Sequence, residues 1–281
     1  TNMGLALLAN LSAYDFGYLS AGQLIERTTN ALHTMKALER HRDHFYNWYD
    51  TQSLKPLPPT YVSTVDSGNL AGHLLTLRPA LLALPDQKIL GLRFLDGLSD
   101  TLQVLEDAAG EVIPAQLAQF KTYLESTYEA RPTTLTTAWF SLDRLATSAE
   151  EVLASLKAAP EGPATRWARA LVRQCRDALN DLMLLAPWVL LPDSQNRLRE
   201  FDHLDEILTL RELARLDVTC LPAIQDRLAA EATSGESTWV GDLQELVVTA
   251  SLRARERIAA VEGLACQSSR LAEMEYDFLF D

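Results

Sequence analysis

The chain reads as an all-α protein, a helical array, and three observations carry that reading. Apolar residues recur at the three- and four-residue spacing of a helix face over most of the 281 residues. Prolines and glycines punctuate these stripes, and no pair of segments shows the alternation and turn signature of a strand hairpin. A hydrophobic fraction of 47% with 22% charged residues describes a soluble globular protein, long enough to bury one large core or two modest ones.

The elements follow in order. Asn2 to Tyr14 carries apolar residues at Leu5, Leu8, Ala9 and Leu11 and breaks near Gly17. Ser20-x-x-Gln23 has the form of a capping box, its hydroxyl suited to accept the amide proton three residues on. The helix it opens has Leu24, Thr28, Ala31, Met35 and Leu38 inward. Residues 42–66 lose helical period, and Pro56, Pro58 and Pro59 mark them as a structured loop. Helix resumes after Gly68 and runs toward Leu84. Beyond Pro85 the stripes are Ile89, Leu92, Leu95, Leu98, Leu102 and Leu105; then Ile113, Leu117, Phe120, Leu124 and Thr127; then Trp139, Leu142, Leu145, Ala149, Val152 and Leu156. Trp167, Leu171, Ala178 and Leu182 make a fourth, with Pro163 in its first turn, and Leu204, Ile207, Leu208 and Leu213 a shorter fifth. Val240, Leu243, Val247, Ala250, Ala254, Ile258 and Val261 begin a long last helix.

Several functions are disfavoured. No apolar run reaches the roughly 18 to 20 residues of a membrane helix, and the N-terminus lacks the layout of a signal peptide. The net charge is −13. Of 38 acids and 25 bases, six of each lie in residues 1–85, leaving 32 acids against 19 bases beyond. Such a surface repels nucleic acid and anionic lipid. Cys175, Cys220 and Cys266 are far apart and odd in number, so they read as small apolar residues of a reducing compartment. No dinucleotide, Walker, zinc-protease or nucleophile-elbow motif occurs, and the spacings of His33, His41, His44 and His73 fit no known metal cage. No cofactor and no metal is expected in this segment.

The loop carries the candidate chemistry. His44-Phe45-Tyr46-Asn47-Trp48-Tyr49-Asp50, then Tyr61-Val62-Ser63-Thr64-Val65-Asp66-Ser67-Gly68-Asn69-Leu70 past a proline-rich turn, is dense in flat rings and short hydrogen-bonding side chains. Sugars are held this way: ring faces stack on pyranose CH groups, and Asp or Asn bridges neighbouring hydroxyls. The candidate substrate-binding residues are His44, Tyr46, Asn47, Trp48, Tyr49, Asp50, Ser63, Thr64, Asp66 and Asn69. The plainer alternative is that Ser63 or Asp66 caps the next helix while the rings plug the end of a helical barrel. Glycoside chemistry needs two carboxyls flanking the scissile bond. Neither Asp50 with Asp66 nor Glu273, Glu275 and Asp277, whose i, i+2 spacing on a helix points to different faces, makes a persuasive catalytic pair. No catalytic residue is assigned.

Thr1-Asn2-Met3-Gly4-Leu5, Tyr14-Asp15-Phe16-Gly17-Tyr18, Leu38-Glu39-Arg40-His41, the two loop segments and the closing residues 273–281 together resemble the middle region of bacterial cyclic β-1,2-glucan synthases. The resemblance is dense over residues 1–85 and at the end, and looser between. It implies an (α/α)6-barrel domain that closes linear β-1,2-glucan into a ring by retaining intramolecular transglycosylation. The parent would be a multi-pass protein of the bacterial inner membrane, with this soluble segment on the cytoplasmic face. Residues 1–85 would supply the first barrel helices and the aromatic substrate loop. Residues 86–281 would form an acidic helical array whose last helix returns to the barrel. The chain then holds only the N-terminal part of the domain, with the catalytic glutamates downstream, so alone it is inactive. Expected partners are β-1,2-glucan, other domains of the same polypeptide and, through uncovered apolar helix faces, a second copy. A β-1,2-glucan hydrolase of the same barrel type and a non-catalytic helical scaffold remain as alternatives.

Overall fold

Helices claim most of the described residues, as the spacing of the apolar side chains leads one to expect, and the protein is all-α. The computed structural model describes residues 2–110, 114–156, 162–231 and 238–277; Thr1, Ile113 and residues 278–281 lie outside them. The chain divides into two compact units. One comprises Thr1–Tyr14, Gly22–Leu84 and Ile258–Asp281, the other Asp15–Ala21 and Pro85–Arg257.

The first unit is built from α1 (Asn2–Asp15), α2 (Ala21–Ala37), α3 (Thr64–Ala83) and the part of α12 (Thr238–Ala272) that follows Arg257. Its core joins Leu7 to Leu24, Leu32, Met35 and Leu38, to Leu70, Leu74, Leu77 and Leu81, and to Val261, Leu264 and Leu271. Burying each such leucine contributes roughly 1.5 to 3 kcal/mol. On α1 the buried residues are Gly4 and Leu7, while Leu5 and Ala9 are exposed. The helix is apolar on every side, so its spacing alone singles out no face. α2 starts directly after Ser20 and buries Leu24, Thr28, Leu32 and Met35. α3 begins at Thr64, four residues before the expected Gly68, because Ser63 takes the cap: its hydroxyl accepts the Asp66 amide at 3.2 Å. Between α2 and α3 lies a small hairpin that the sequence does not announce. β1 (Arg40–His41) pairs antiparallel with β2 (His44–Phe45), and the turn residues Arg42 and Asp43 both have positive φ, 49° and 64°. That is the backbone of a two-residue hairpin turn, made here without the usual Asn-Gly.

In the second unit α4 (Arg93–Ala109), α5 (Ala115–Ala130), α6 (Leu135–Leu156) and α7 (Pro163–Leu185) pack together, α6 on both α5 and α7 and α4 on α7. Most of the stripe residues are buried: Leu95, Leu98, Leu102 and Leu105; Leu117, Phe120, Leu124 and Thr127; Leu142, Leu145, Ala149 and Val152, whereas Ile89 and Leu92 precede α4, Leu92 being exposed, and Trp139 and Leu156 are half-buried. α7 opens with Pro163 in its first turn and buries Leu171, Cys175, Ala178 and Leu182, but Trp167 points outward, 40% exposed. Burial pushes the Cys175 thiol far above its usual range, so it is an inert core residue.

The fifth stripe is not a helix. Leu204, Ile207 and Leu208 lie in an irregular segment whose backbone serves its neighbours: the Ile89 amide donates to the Leu208 carbonyl at 2.9 Å, and that of Leu135 to Asp205 at 2.7 Å. Helix starts only afterwards, at α9 (Leu210–Leu213), because Thr209 and Glu212 form a reciprocal capping box. Trp188, fully buried, donates its indole N–H to the Leu204 carbonyl at 2.8 Å. The short α8 (Ser194–Arg197) and α10 (Leu216–Thr219), with α11 (Leu221–Glu231), complete the run to α12. The early part of α12 buries Val240, Leu243, Val247, Ala250 and Ala254, and Arg257 pairs with Asp181.

Gly17, with φ +76°, lies so close to α4 that an added Cβ would stand 1.9 Å from the Arg93 carbonyl oxygen. Gly110 has a similar φ of +77° with open space around it. Gly17→Ala should therefore cost roughly 2 to 4 kcal/mol, while Gly110→Ala carries the backbone strain alone and costs less. Urea unfolding followed by circular dichroism compares the two.

Candidate functional site

The loop between α2 and α3 is held by its own backbone. The Asn47 amide donates to the Tyr61 carbonyl at 2.8 Å, the Leu57 amide to Trp48 at 3.0 Å, and the Asp50 amide to Lys55 at 2.9 Å. Asp50 tightens the turn: Oδ1 accepts from the Ser53 amide at 2.6 Å, the Ser53 hydroxyl at 2.7 Å and the Gln52 amide at 3.2 Å. The Ser53 amide and then its hydroxyl hold the Asp50 carboxyl below the usual carboxylate value. Oδ2 has no partner among the described residues. Tyr49 is tied at both sides, its hydroxyl donating to the Glu39 carbonyl at 2.7 Å and accepting the Tyr46 amide at 2.8 Å. Burial pushes the Tyr49 phenol above its ordinary value.

This loop walls a half-open cavity of about 530 Å³ in the first unit. Six of the ten candidate residues line it: Tyr46, Asn47, Trp48, Tyr49, Asp50 and Asp66. Its size and lining, rings and aliphatic groups with a few polar atoms, are those of a small-molecule site. Trp48 is 50% exposed at the rim, stacked on Tyr61 with ring centroids 6.4 Å apart and planes 30° from parallel. Tyr46 meets Tyr49 edge-on at 6.3 Å.

The other four candidates lie elsewhere. Ser63 is the cap of α3, and Thr64 and Asn69 are exposed on that helix, outside the lining. His44 is wholly buried. Its Nε2 lies 2.9 Å from the Glu275 carbonyl oxygen and its Nδ1 2.9 Å from the Ser67 hydroxyl. A carbonyl only accepts, so Nε2 carries the proton and Nδ1 accepts from Ser67 in the neutral ring. Tyr276 meets the imidazole edge-on at 5.5 Å. The Glu275 amide also donates to the Arg42 carbonyl at 3.3 Å. Both imidazole nitrogens are thus used inside the chain, and His44 offers none to a ligand. The Glu273, Glu275 and Asp277 cluster follows the end of α12 rather than sitting on it.

Sequence reasoning missed the rest of the wall. Asn2 and Met3 of α1, Thr34 of α2 and Leu38, just past its end, also line the cavity, as do Leu54 and Leu57 of the loop. Asn2 and Met3 belong to the Thr1–Leu5 segment singled out above, which is the one signal that pointed to them. Among the described residues no group of three His, Cys, Asp or Glu side chains comes together to hold a metal.

No protein-family model matches the chain. Over 115 residues, 40% of its length, it is 37% identical to the cyclic β-(1,2)-glucan synthase NdvB of Rhizobium meliloti (strain 1021). That stretch is 4% of the relative, so the chain spans a small fraction of the protein it matches and the relation is a partial one. No described helix is long and apolar enough to cross a membrane.

His44→Leu should leave the Ser67 hydroxyl and the Glu275 carbonyl without the imidazole and destabilise the first unit by roughly 2 to 4 kcal/mol. Hydrogen exchange should accelerate in residues 40–46 and 273–277. The exposed Asn69→Ala should stay within about 0.5 kcal/mol of the parent. The Asp50 turn carries a sign of its own: a depressed carboxyl contributes fully above its ordinary value of 3.8 and loses that contribution as pH falls through its lower folded value. The Ser53 amide resonance should shift only in that acid range, and Asp50→Asn should abolish the shift.

Proposed function

We propose that this chain contributes a glucan-binding surface to a cyclic β-1,2-glucan synthase, in the domain that closes linear β-1,2-glucan into a ring. The observation that carries the reading is the cavity itself: the aromatic, carboxylate-bearing loop faces a hollow instead of packing shut, and the chain is partly related to a protein of that name. Trp48 offers a half-exposed ring for a pyranose face, and Asn47, Asp50 and Asp66 offer amide and carboxylate groups for hydroxyls. Hydrogen bonds from hydroxyls to charged groups contribute about 1.5 to 3 kcal/mol each.

Holding is the task that ring closure needs. In retaining transfer an enzyme carboxylate attacks an internal linkage, and the 2-hydroxyl at the far end of the same chain takes the glucosyl unit back in place of water. A tethered acceptor wins only when it is kept near the reacting centre, where its effective concentration is high. The site supports holding better than cleavage. A general acid works with a raised pKa, whereas Asp50 is held low by Ser53. The reacting carboxyls are therefore sought in other parts of the synthase, and the barrel to which these helices would belong is part of the same proposal.

Calorimetric titration with linear β-1,2-glucan tests the reading. Saturable binding is expected, and Trp48→Ala should weaken it roughly 30-fold, corresponding to about 2 kcal/mol. Trp167→Ala, an exposed tryptophan of the other unit, should leave it unchanged. No saturable heat with the parent chain would overturn the assignment.

A further inference from the structure

We infer that the binding surface continues past the mouth of the cavity onto Tyr61, and that the ligand recognised is a glucan chain longer than the hollow itself encloses. The inference deepens the glucan-binding reading and rests on it. A glucosyl unit fills about 180 Å³ at the packing density of organic crystals, so the half-open cavity of about 530 Å³ takes roughly three units. A longer linear glucan has to leave through the opening. Tyr61 stands there. Its ring is no part of the cavity lining, whereas Trp48, on which it stacks with centroids 6.4 Å apart, is. The pair thus leads from the hollow to the outside, and Leu57, a lining residue that is itself exposed, adds aliphatic surface beside Trp48.

Tyr61 is 54% exposed and takes no part in the core cluster of the first unit. Its main chain, by contrast, is fixed. The Tyr61 carbonyl accepts the Asn47 amide at 2.8 Å, and the Trp48 carbonyl accepts that of Leu57 at 3.0 Å, so both rings are carried by segments bonded to one another. Rings placed in this way need little further ordering when a ligand arrives. Each offers apolar area and an electron-rich face, and the CH face of a β-glucosyl ring is apolar and slightly positive, so the two surfaces match. Two roles for Tyr61 separate by ligand length. A ring that only braced Trp48 would, on removal, weaken ligands of every length alike. A ring that makes a contact of its own is felt only by chains long enough to reach it.

The test is calorimetry on this chain with linear β-1,2-gluco-oligosaccharides of increasing length, from the trisaccharide to the octasaccharide. With the parent, affinity should go on rising beyond the trisaccharide. Tyr61→Ala should weaken the octasaccharide roughly tenfold and leave the trisaccharide within about twofold. Tyr61→Phe, which keeps the ring, should bind every length as the parent does. An affinity that stops rising at the trisaccharide would overturn the extended surface while leaving glucan binding intact. Equal weakening of short and long ligands by Tyr61→Ala would reduce the ring to a brace for Trp48, and a Tyr61→Phe as weak as Tyr61→Ala would move the contact to the hydroxyl; either result overturns the inference. Sedimentation of the same samples covers a different use of the exposed rings. Self-association that Tyr61→Ala abolishes, with the dependence on length unaltered, would assign them to a contact between copies and overturn it too. Failure of every length to bind the parent would defeat the glucan-binding reading and, with it, this inference.

Discussion

One buried imidazole organises the first unit. His44 reaches from the hairpin to α3 through Ser67 and to the segment after α12 through the Glu275 carbonyl, so three stretches distant in sequence meet on a single ring. The hairpin turn is stitched to the same place, the Glu275 amide bonding the Arg42 carbonyl and the Glu275 carboxylate standing 4.0 Å from the Arg42 guanidinium. That exposed ion pair adds little, whereas the buried bonds cost far more to break than to keep. Once the hairpin is fixed, the loop behind it has few ways to run, and its rings come to rest around the cavity.

Within the loop, polar groups divide between those that shape it and those left over. The Tyr49 hydroxyl is used twice and Asp50 Oδ1 three times, all on nearby backbone or Ser53. A loop without helix or sheet must satisfy its amides in this way, and the side chains that do so are lost to any ligand. What stays available includes the Trp48 ring and the outer oxygen of Asp50. A rigid frame with a few uncommitted groups binds at a smaller entropic cost than a mobile one.

The helices of the second unit were readable because their polar and apolar residues separate cleanly around the axis, as in Leu95, Leu98, Leu102 and Leu105 of α4. α1 and α3 were harder. Both are apolar on several sides, and the choice of Leu7 over Leu5 depends on what packs against the helix rather than on spacing. The 204–208 segment carries helical spacing by coincidence, and the Thr209–Glu212 box beyond it, itself visible in the sequence, sets the true start. For the site, the composition of residues 44–50 marked the ring-rich wall, since such a density of aromatics suits no ordinary helix. It did not distinguish Trp48, at the rim, from His44, sealed beneath, because both residue types serve ligands and cores alike. Thr34 and Asn2 were invisible as wall residues: a side chain facing a hollow leaves no periodic trace.

The core of the first unit is assembled from both ends of the chain, since Val261, Leu264 and Leu271 pack in one cluster with Leu7, Leu32 and Leu74. The other unit draws almost wholly on the uninterrupted stretch between Pro85 and Arg257. During synthesis the ribosome thus delivers nearly everything the second unit needs while the first still waits for its last helix. Until that helix emerges, the early leucines stay uncovered, and the hairpin before the ring-rich loop has no Glu275 on which to fasten. The order of translation lets the core of the second unit form before the cavity of the first is complete.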